Sequence, residues 1–136
     1  MAATTWDRRH AAHLYRRAGF GGTPEDLDLA TSLGREGAVS SLVDYDAIPT
    51  ADLDAYLGLY GFDLETIGGD RGRRLFDLTR WWYFRMQYTP RPLEEKMTLF
   101  WHGHFATSND KVDEPSRMYD QNRVFRHDYV SSLMRD

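Results

Sequence analysis

Residues 93–111, LEEKMTLFWHGHFATSNDK, combine an amphipathic helical pattern with side chains that can take part in chemistry. Pro92 supplies a fixed φ at the first helical position, and two acidic residues follow where the helix dipole favours negative charge. Apolar positions then recur at helical spacing and form one broad stripe. The stripe consists of Leu93, Met97, Phe100, Trp101 and His104. This pattern predicts a helix over residues 92–103 that ends at Gly103.

Two histidines stand at the end of this predicted helix. If the helix ends at Gly103, His102 lies in the last turn and His104 in the exit loop, so the two imidazoles converge. In a continuous helix they would point about 200° apart. A carboxylate such as Asp110 or Glu95 would complete three ligands around a divalent metal ion and leave one position open. The alternative is that both histidines are hydrogen-bonded core residues.

The same periodic reasoning predicts an all-α fold, an irregular multi-helix bundle of about five to six helices. The predicted helices cover residues 6–18, 24–33, 35–43, 70–88, 92–103 and 115–134. Residues 44–69 are predicted to be an acidic linker with at most a helical turn or two, because residues 44–70 hold seven acidic side chains and no Lys or Arg.

All 136 residues are expected to form a single helical domain. The predicted last helix reaches the end of the sequence without a Gly, Asn or Pro that would stop it. We therefore expect the domain to be the N-terminal part of a larger helical protein.

Composition excludes several classes of protein. The formal net charge of −4 argues against a general nucleic-acid binder, which needs a surplus of Lys and Arg. The absence of Cys excludes disulfides and thiolate metal sites. No apolar run approaches the roughly 20 residues that span a bilayer. The chain shows no signal peptide, so a cytoplasmic location is the default expectation.

The predicted last helix carries an amide inside its apolar stripe. The stripe consists of Met118, Asn122, Phe125, Tyr129 and Leu133. A buried amide must find hydrogen-bond partners, and a facing pair of histidines would provide them. We therefore expect His102, His104 and Asn122 to be catalytic residues, and His102, His104 and Asp110 to be metal ligands.

Two other groups of side chains allow a functional and a structural interpretation. Arg123 and Arg126 flank the amide and suit a phosphate or sulfate, but the acids nearby favour surface ion pairs. Trp81 and Trp82 suit stacking on a sugar or an aromatic ligand, but their helical spacing favours the core.

Several motifs, in this order, resemble the N-terminal part of a bacterial family catalogued as domain of unknown function 1800. The matching pieces are HLYRRAGFG at residues 13–21, PLEEKMTLFWHGHFATS at residues 92–108, Lys111-Val112, Met118, Gln121-Asn122 and Phe125-Arg126. The family motif is more usually Trp-His-Asn-His, so Gly103 replaces a polar residue here. The resemblance implies a mostly helical protein without an established activity. It also implies a partner, because members are often encoded beside a frequently exported, sulfatase-like family.

Two functions follow as expectations. In the first, the protein is a metal-assisted hydrolase in which His102, His104 and Asp110 hold a divalent ion that activates water. In the second, it is a non-enzymatic helical module that docks a partner protein through its aromatic surface.

Overall fold

The chain folds into an all-α arrangement in the computed structural model, which describes residues 5–59, 70–105 and 114–130. These ranges contain six α-helices and no strand, which confirms the predicted fold class. The helices are α1 (Arg8–Ala18), α2 (Pro24–Val43), α3 (Ala51–Leu59), α4 (Arg71–Tyr88), α5 (Pro92–His104) and α6 (Pro115–Val124). A 3₁₀ turn, Tyr45–Ala47, precedes α3, and a π-helical segment, Phe125–Val130, continues α6. Within the described ranges, no helix is both long and apolar enough to cross a membrane.

Local capping chemistry explains where the helices begin. At the start of α2, Thr23 Oγ1 accepts a hydrogen bond from Asp26 N at 3.2 Å, and the Asp26 carboxylate accepts one from Thr23 N at 2.8 Å. This reciprocal pair satisfies two backbone donors that the helix itself cannot satisfy. Asp70 caps α4 by accepting from Arg73 N at 2.9 Å. Gly34, which separates two helices in the sequence pattern, has φ +72° and kinks α2.

The acidic stretch contains a helix where the sequence predicts a linker. Thr50 and Pro49 precede α3, and Asp52 and Asp54 lie in its first turn, where the helix dipole favours carboxylates. Leu53 and Leu57 are buried against α4. The linker assignment for residues 44–69 is therefore corrected for residues 51–59, because two leucines one turn apart anchor this acidic segment to the core. Residues 60–69 lie outside the described part of the chain.

Two apolar clusters hold the helices together. The first joins α3, α4 and α6, and the second joins α1 and α2. The first cluster contains Leu53, Leu57, Leu78 and Trp81, with Trp82, Phe84, Met118 and Tyr119 packed against it. The second contains Ala11, Ala30 and Ala38, with Trp6, Leu14, Tyr15 and Leu27 around it. Trp81 and Trp82 thus pack at the core.

Three helix ends differ from the sequence pattern. α1 begins at Arg8 because the Asp7 side chain caps it, accepting from Arg9 N and His10 N. α5 does not end at Gly103 but continues through His104, and Phe105 N donates to Trp101 O at 2.8 Å. The last helix changes from α to π geometry at Phe125.

Candidate functional site

A fully buried carboxylate, Glu95, connects side chains from α4 and from the π segment. Glu95 Oε1 accepts from Arg85 Nε at 2.8 Å and from Arg126 Nε at 2.7 Å. Glu95 Oε2 accepts from Arg126 Nη2 at 3.0 Å and from Trp82 Nε1 at 3.1 Å. Arg126 Nη2 also donates to Asn122 Oδ1 at 2.7 Å. We call these five residues, Trp82, Arg85, Glu95, Asn122 and Arg126, the Glu95 cluster.

Helical spacing explains how the cluster assembles. Trp82 and Arg85 are three residues apart on α4, so both face the same side of that helix. Asn122 and Arg126 are four residues apart, across the junction of α6 and the π segment. Glu95 lies in the first turn of α5, where the helix dipole also favours its negative charge.

The cluster remains ionised because its charges compensate one another. Burial acts to raise the pKa of Glu95, but the guanidinium groups of Arg126 and Arg85 outweigh burial and lower this pKa below its ordinary value. Burial acts to lower the pKa of Arg85, and Glu95 and Asp54 raise it. Neighbouring Glu94 behaves in the opposite way to Glu95, because burial raises its pKa and Arg91 offsets this only in part.

His102 lies next to the Glu95 cluster in a small, mostly apolar pocket. Its ring centroid is 4.9 Å from that of Trp82 and 6.5 Å from that of Phe125. The pocket has a volume of about 210 Å³. It is lined by Leu75, Leu78, Thr79, Trp82, His102, Met118 and Asn122. Burial lowers the pKa of His102, which favours the neutral imidazole at pH 7.

Asn122 contributes an unused donor beside this imidazole. The residue is 3% exposed, and its Oδ1 is held by Arg126. A guanidinium carries only donors, so the carbonyl oxygen of the amide must face Arg126 and Nδ2 must face away from it. Nδ2 has no hydrogen-bond partner in the described part of the chain. Asn122 and His102 line the same pocket, but no hydrogen bond joins them in the described part of the chain.

The structure does not bring His102 and His104 together. Because α5 continues through His104, residues two positions apart point about 200° away from each other. His104 is exposed, and its ring stacks on Phe100 with centroids 6.2 Å apart. Asp110 lies outside the described residues. In the ranges that are described, no three His, Asp or Glu side chains are grouped as a metal site requires.

A second pocket, which we call the arginine pocket, lies between α3, α4, α6 and the π segment. Its volume is about 430 Å³. Its lining consists of Thr50, Asp54, Leu57, Gly58, Trp81, Arg85, Tyr119, Arg123, Arg126 and His127. Arg85 Nη1 donates to Asp54 Oδ1 at 2.6 Å at this pocket. Both buried guanidinium carbons lie near the Trp81 ring, that of Arg85 at 5.7 Å and that of Arg126 at 5.3 Å from its centroid.

Sequence reasoning missed the role of Glu95 and the arginine pocket. The sequence pattern suggested Glu95 as a metal ligand, but its carboxylate oxygens already accept four N–H hydrogen bonds. No local pattern signalled this role, because Glu95 and Arg126 lie outside the predicted apolar stripes and Arg126 was expected to form a surface ion pair; the structure buries both, and a buried charge needs an opposite partner. No local spacing links Glu95 to Arg126, which is 31 residues away.

Comparison with known proteins gives a family. The family model described as protein of unknown function (DUF1800) matches residues 13–132. No curated protein and no solved structure matches the chain significantly. The matched span includes the Glu95 cluster, both histidines of α5 and the arginine pocket. The chain therefore belongs to the DUF1800 family.

Proposed function

We propose that the protein is a hydrolase that acts at the pocket of His102 and Asn122. In this proposal His102 takes a proton from the water that attacks the substrate and returns it to the leaving group when the bond to that group breaks. Asn122 Nδ2 donates a hydrogen bond to the substrate oxygen that becomes negatively charged. The observation that carries the proposal is a buried amide donor without a partner, beside an imidazole whose pKa is lowered.

An unpartnered buried donor is informative because it is costly. Leaving such a group unsatisfied costs about 1–3 kcal/mol, and a ligand oxygen would remove that cost. Arg126 fixes the orientation of the Asn122 amide by binding its Oδ1, so Nδ2 needs no rearrangement to donate. A donor held in place before the reaction is what stabilises a developing oxyanion.

The lowered pKa of His102 suits the role of a base. A neutral imidazole accepts a proton, whereas a protonated one does not. Glu95 supports this arrangement indirectly, because it binds Trp82 Nε1 while the Trp82 ring contacts His102. The pocket is smaller than the roughly 300–1,000 Å³ of typical ligand sites, so we expect it to take a small reacting group of the substrate.

In the metal-assisted form of this proposal, the same imidazole binds the metal ion instead of acting as the base, because a neutral imidazole has one acceptor nitrogen. A neutral imidazole is also the form that binds a divalent metal ion. His102 would supply one ligand from this pocket, while His104 faces another side of α5. Asp110, the third predicted ligand, remains a prediction because it lies outside the described residues.

The test compares His102→Gln with His104→Gln in the full chain. The probes are p-nitrophenyl acetate, p-nitrophenyl phosphate and p-nitrophenyl sulfate. We expect the wild type to hydrolyse at least one of them. We expect His102→Gln to lose about 10²–10⁴-fold of that activity, the usual contribution of a general base, and His104→Gln to retain it. Equal losses in both variants, or a wild type inactive on all three probes, would overturn the proposal.

Two additional measurements distinguish a general-base role of His102 from a metal-binding role. Asn122→Asp should reduce kcat at an unchanged fold, because a carboxylate beside the oxyanion repels it. Elemental analysis of the wild type and of both histidine variants tests the metal. A stoichiometric metal lost only in His102→Gln supports a metal site at this pocket, whereas a metal lost equally in both variants would contradict the separation of the two rings on α5 and overturn the proposal.

Partner docking is a second candidate, favoured by two exposed aromatic side chains on α4. Phe76 and Tyr83 are seven residues apart and share one face, and they are 62% and 63% exposed. The partner that the family resemblance implies is the sulfatase-like protein encoded beside family members. Co-purification of the two proteins that is lost in Phe76→Ser, Tyr83→Ser but kept in His102→Gln would support this function. Co-purification that needs His102 would contradict it.

A further inference from the structure

We propose that the arginine pocket binds the carboxylate of a small organic acid. This inference is independent of the proposed hydrolase site, because different residues carry it. Three guanidinium groups, those of Arg85, Arg123 and Arg126, line one cavity. With about 430 Å³ the cavity falls in the range of small-molecule sites.

Unused donors at this pocket favour an anionic ligand. Arg85 uses Nε for Glu95 and Nη1 for Asp54, and Arg126 uses Nε and Nη2 for Glu95 and Asn122. Arg85 Nη2 and Arg126 Nη1 make no hydrogen bond within the described part of the chain. Guanidinium N–H groups match the planar oxygen pair of a carboxylate and bind it more strongly than a neutral acceptor.

The charge balance favours a single negative charge over a double one. Arg85 and Arg126 pair with Asp54 at the pocket and with Glu95 behind it. Arg123 lies 3.8 Å from Asp120 in a solvent-exposed pair, which contributes little, so its positive charge still acts at the pocket. A ligand with a single negative charge, such as an organic monocarboxylate, can pair with Arg123 and with the free N–H groups of Arg85 and Arg126. A phosphate dianion would bring a second negative charge next to Asp54, which repels it.

Apolar side chains at the same pocket suit the body of an organic acid. Trp81 and Tyr119 line it, with their ring centroids 5.3 Å apart in an edge-to-face arrangement. Leu57 adds aliphatic surface from α3. Aromatic and apolar walls with a few fixed polar groups are typical of small-molecule sites. The lining therefore fits a carboxylate attached to a ring or a short hydrocarbon.

The experiment measures benzoate binding to the full chain by calorimetry at constant ionic strength. Benzamide, which has the same shape without the charge, and inorganic phosphate serve as comparison probes. We expect benzoate to bind more tightly than either of them. Absence of benzoate binding, or equal binding of benzamide, would overturn the proposal. Tighter binding of phosphate would overturn the assignment to carboxylates.

Two variants at the pocket should change the affinity in opposite directions. Arg123→Gln should weaken benzoate binding about threefold to fivefold, as expected for a partly exposed charge. Asp54→Asn should tighten it by about twofold to fivefold, because the repelling carboxylate is gone. Arg117→Gln, on an exposed position of α6 outside the pocket, is the matched control and should leave the affinity unchanged.

The effects of the variants on benzoate affinity distinguish the arginine pocket from the pocket of His102. His102→Gln should bind benzoate like the wild type, because His102 lines the other pocket. Benzoate affinity that is the same in Arg123→Gln, Asp54→Asn and the wild type would place the ligand elsewhere and overturn the proposal.

Discussion

Glu95 and Glu94 occupy adjacent positions of α5, and both are almost completely buried. Their surroundings differ. Glu95 receives four hydrogen bonds from Trp82 and two arginines, whereas Glu94 Oε2 has no partner within the described ranges and Oε1 pairs with Arg91 at 3.3 Å. Identical side chains at neighbouring positions thus differ in how well their charge is compensated. Substituting each residue in turn therefore compares a well-compensated buried charge with a poorly compensated one.

Glu95→Gln should destabilise the protein strongly. Removing one member of a buried ion pair leaves the other charge uncompensated, which costs about 3–5 kcal/mol. Glu94→Gln should change the free energy of unfolding by less than about 1 kcal/mol, because ionised Glu94 is poorly compensated. Urea unfolding at pH 7, followed by circular dichroism, measures both. A similar loss in the two variants would contradict the role assigned to the Glu95 cluster.

The lowered pKa of Glu95 also predicts a pH dependence. In the folded protein this carboxyl binds a proton less readily than in the unfolded chain, where its pKa is near the ordinary 4.5. Its contribution to stability is therefore present above about pH 4.5 and is lost as the pH falls through the folded-state pKa. The stability gap between wild type and Glu95→Gln should narrow on acidification. If the difference in free energy of unfolding stays constant from pH 7 to pH 3, the charge of Glu95 is not the source of its contribution to stability.

At the scale of helices, α3 shows how tertiary contacts override composition. Its sequence is acidic and short, yet Leu53 and Leu57 pack against Leu78 and Trp81 of α4. Asp54 on the same helix binds Arg85. One face of α3 thus contacts the core and also contributes to the arginine pocket.

Leu57→Ala should destabilise the protein by about 2–5 kcal/mol, the usual cost of removing a buried leucine side chain. Leu57 is 2% exposed and lies in the first apolar cluster. Tyr56→Ala, one position away and 40% exposed, is the control and should cost much less. Thermal unfolding of the two variants measures the difference. Equal Tm values would mean that α3 does not belong to the core.

The starts of α2, α4 and α5 were predictable because their signals are local. Thr23 and Asp70 cap the helices that the sequence places after them, and Pro92 occupies the first position of α5. The end of α5 was less predictable because a glycine ends or kinks a helix only where its backbone leaves the helical conformation, for example at positive φ. Gly34 adopts positive φ and kinks α2, whereas Gly103 stays helical. This difference decides where His104 points.

At the scale of the whole molecule, different members of one ionic cluster line two pockets. Trp82 and Asn122 line the pocket of His102, and Arg85 and Arg126 line the arginine pocket. The sequence could not predict this connection, because the contacts join residues far apart along the chain. What it could predict was that Asn122 needs a polar partner. That partner is Arg126, one helical turn away.

Exposed apolar side chains predict self-association at high concentration. They lie on several helices and include Leu29 at 57%, Phe76 at 62%, Tyr83 at 63% and Phe100 at 56% exposure. Exposed apolar surface favours association, and Phe76 and Tyr83 share one face of α4. Sedimentation velocity should show a mean mass that rises with concentration and falls again in Phe76→Ser, Tyr83→Ser. A monomer at every concentration, with a sharp and reversible thermal transition, would contradict this.

The 31 residues between Glu95 and Arg126 also have a consequence for biosynthesis. At the usual speed of translation, roughly 5–20 residues per second, the ribosome needs about 2–6 s to make the segment between them. During that interval the nascent chain contains Arg85 and Glu95 but not Arg126, so the four hydrogen bonds of Glu95 cannot all form. The charge of Glu95 is therefore fully compensated only after the segment that carries Arg126 has left the exit tunnel.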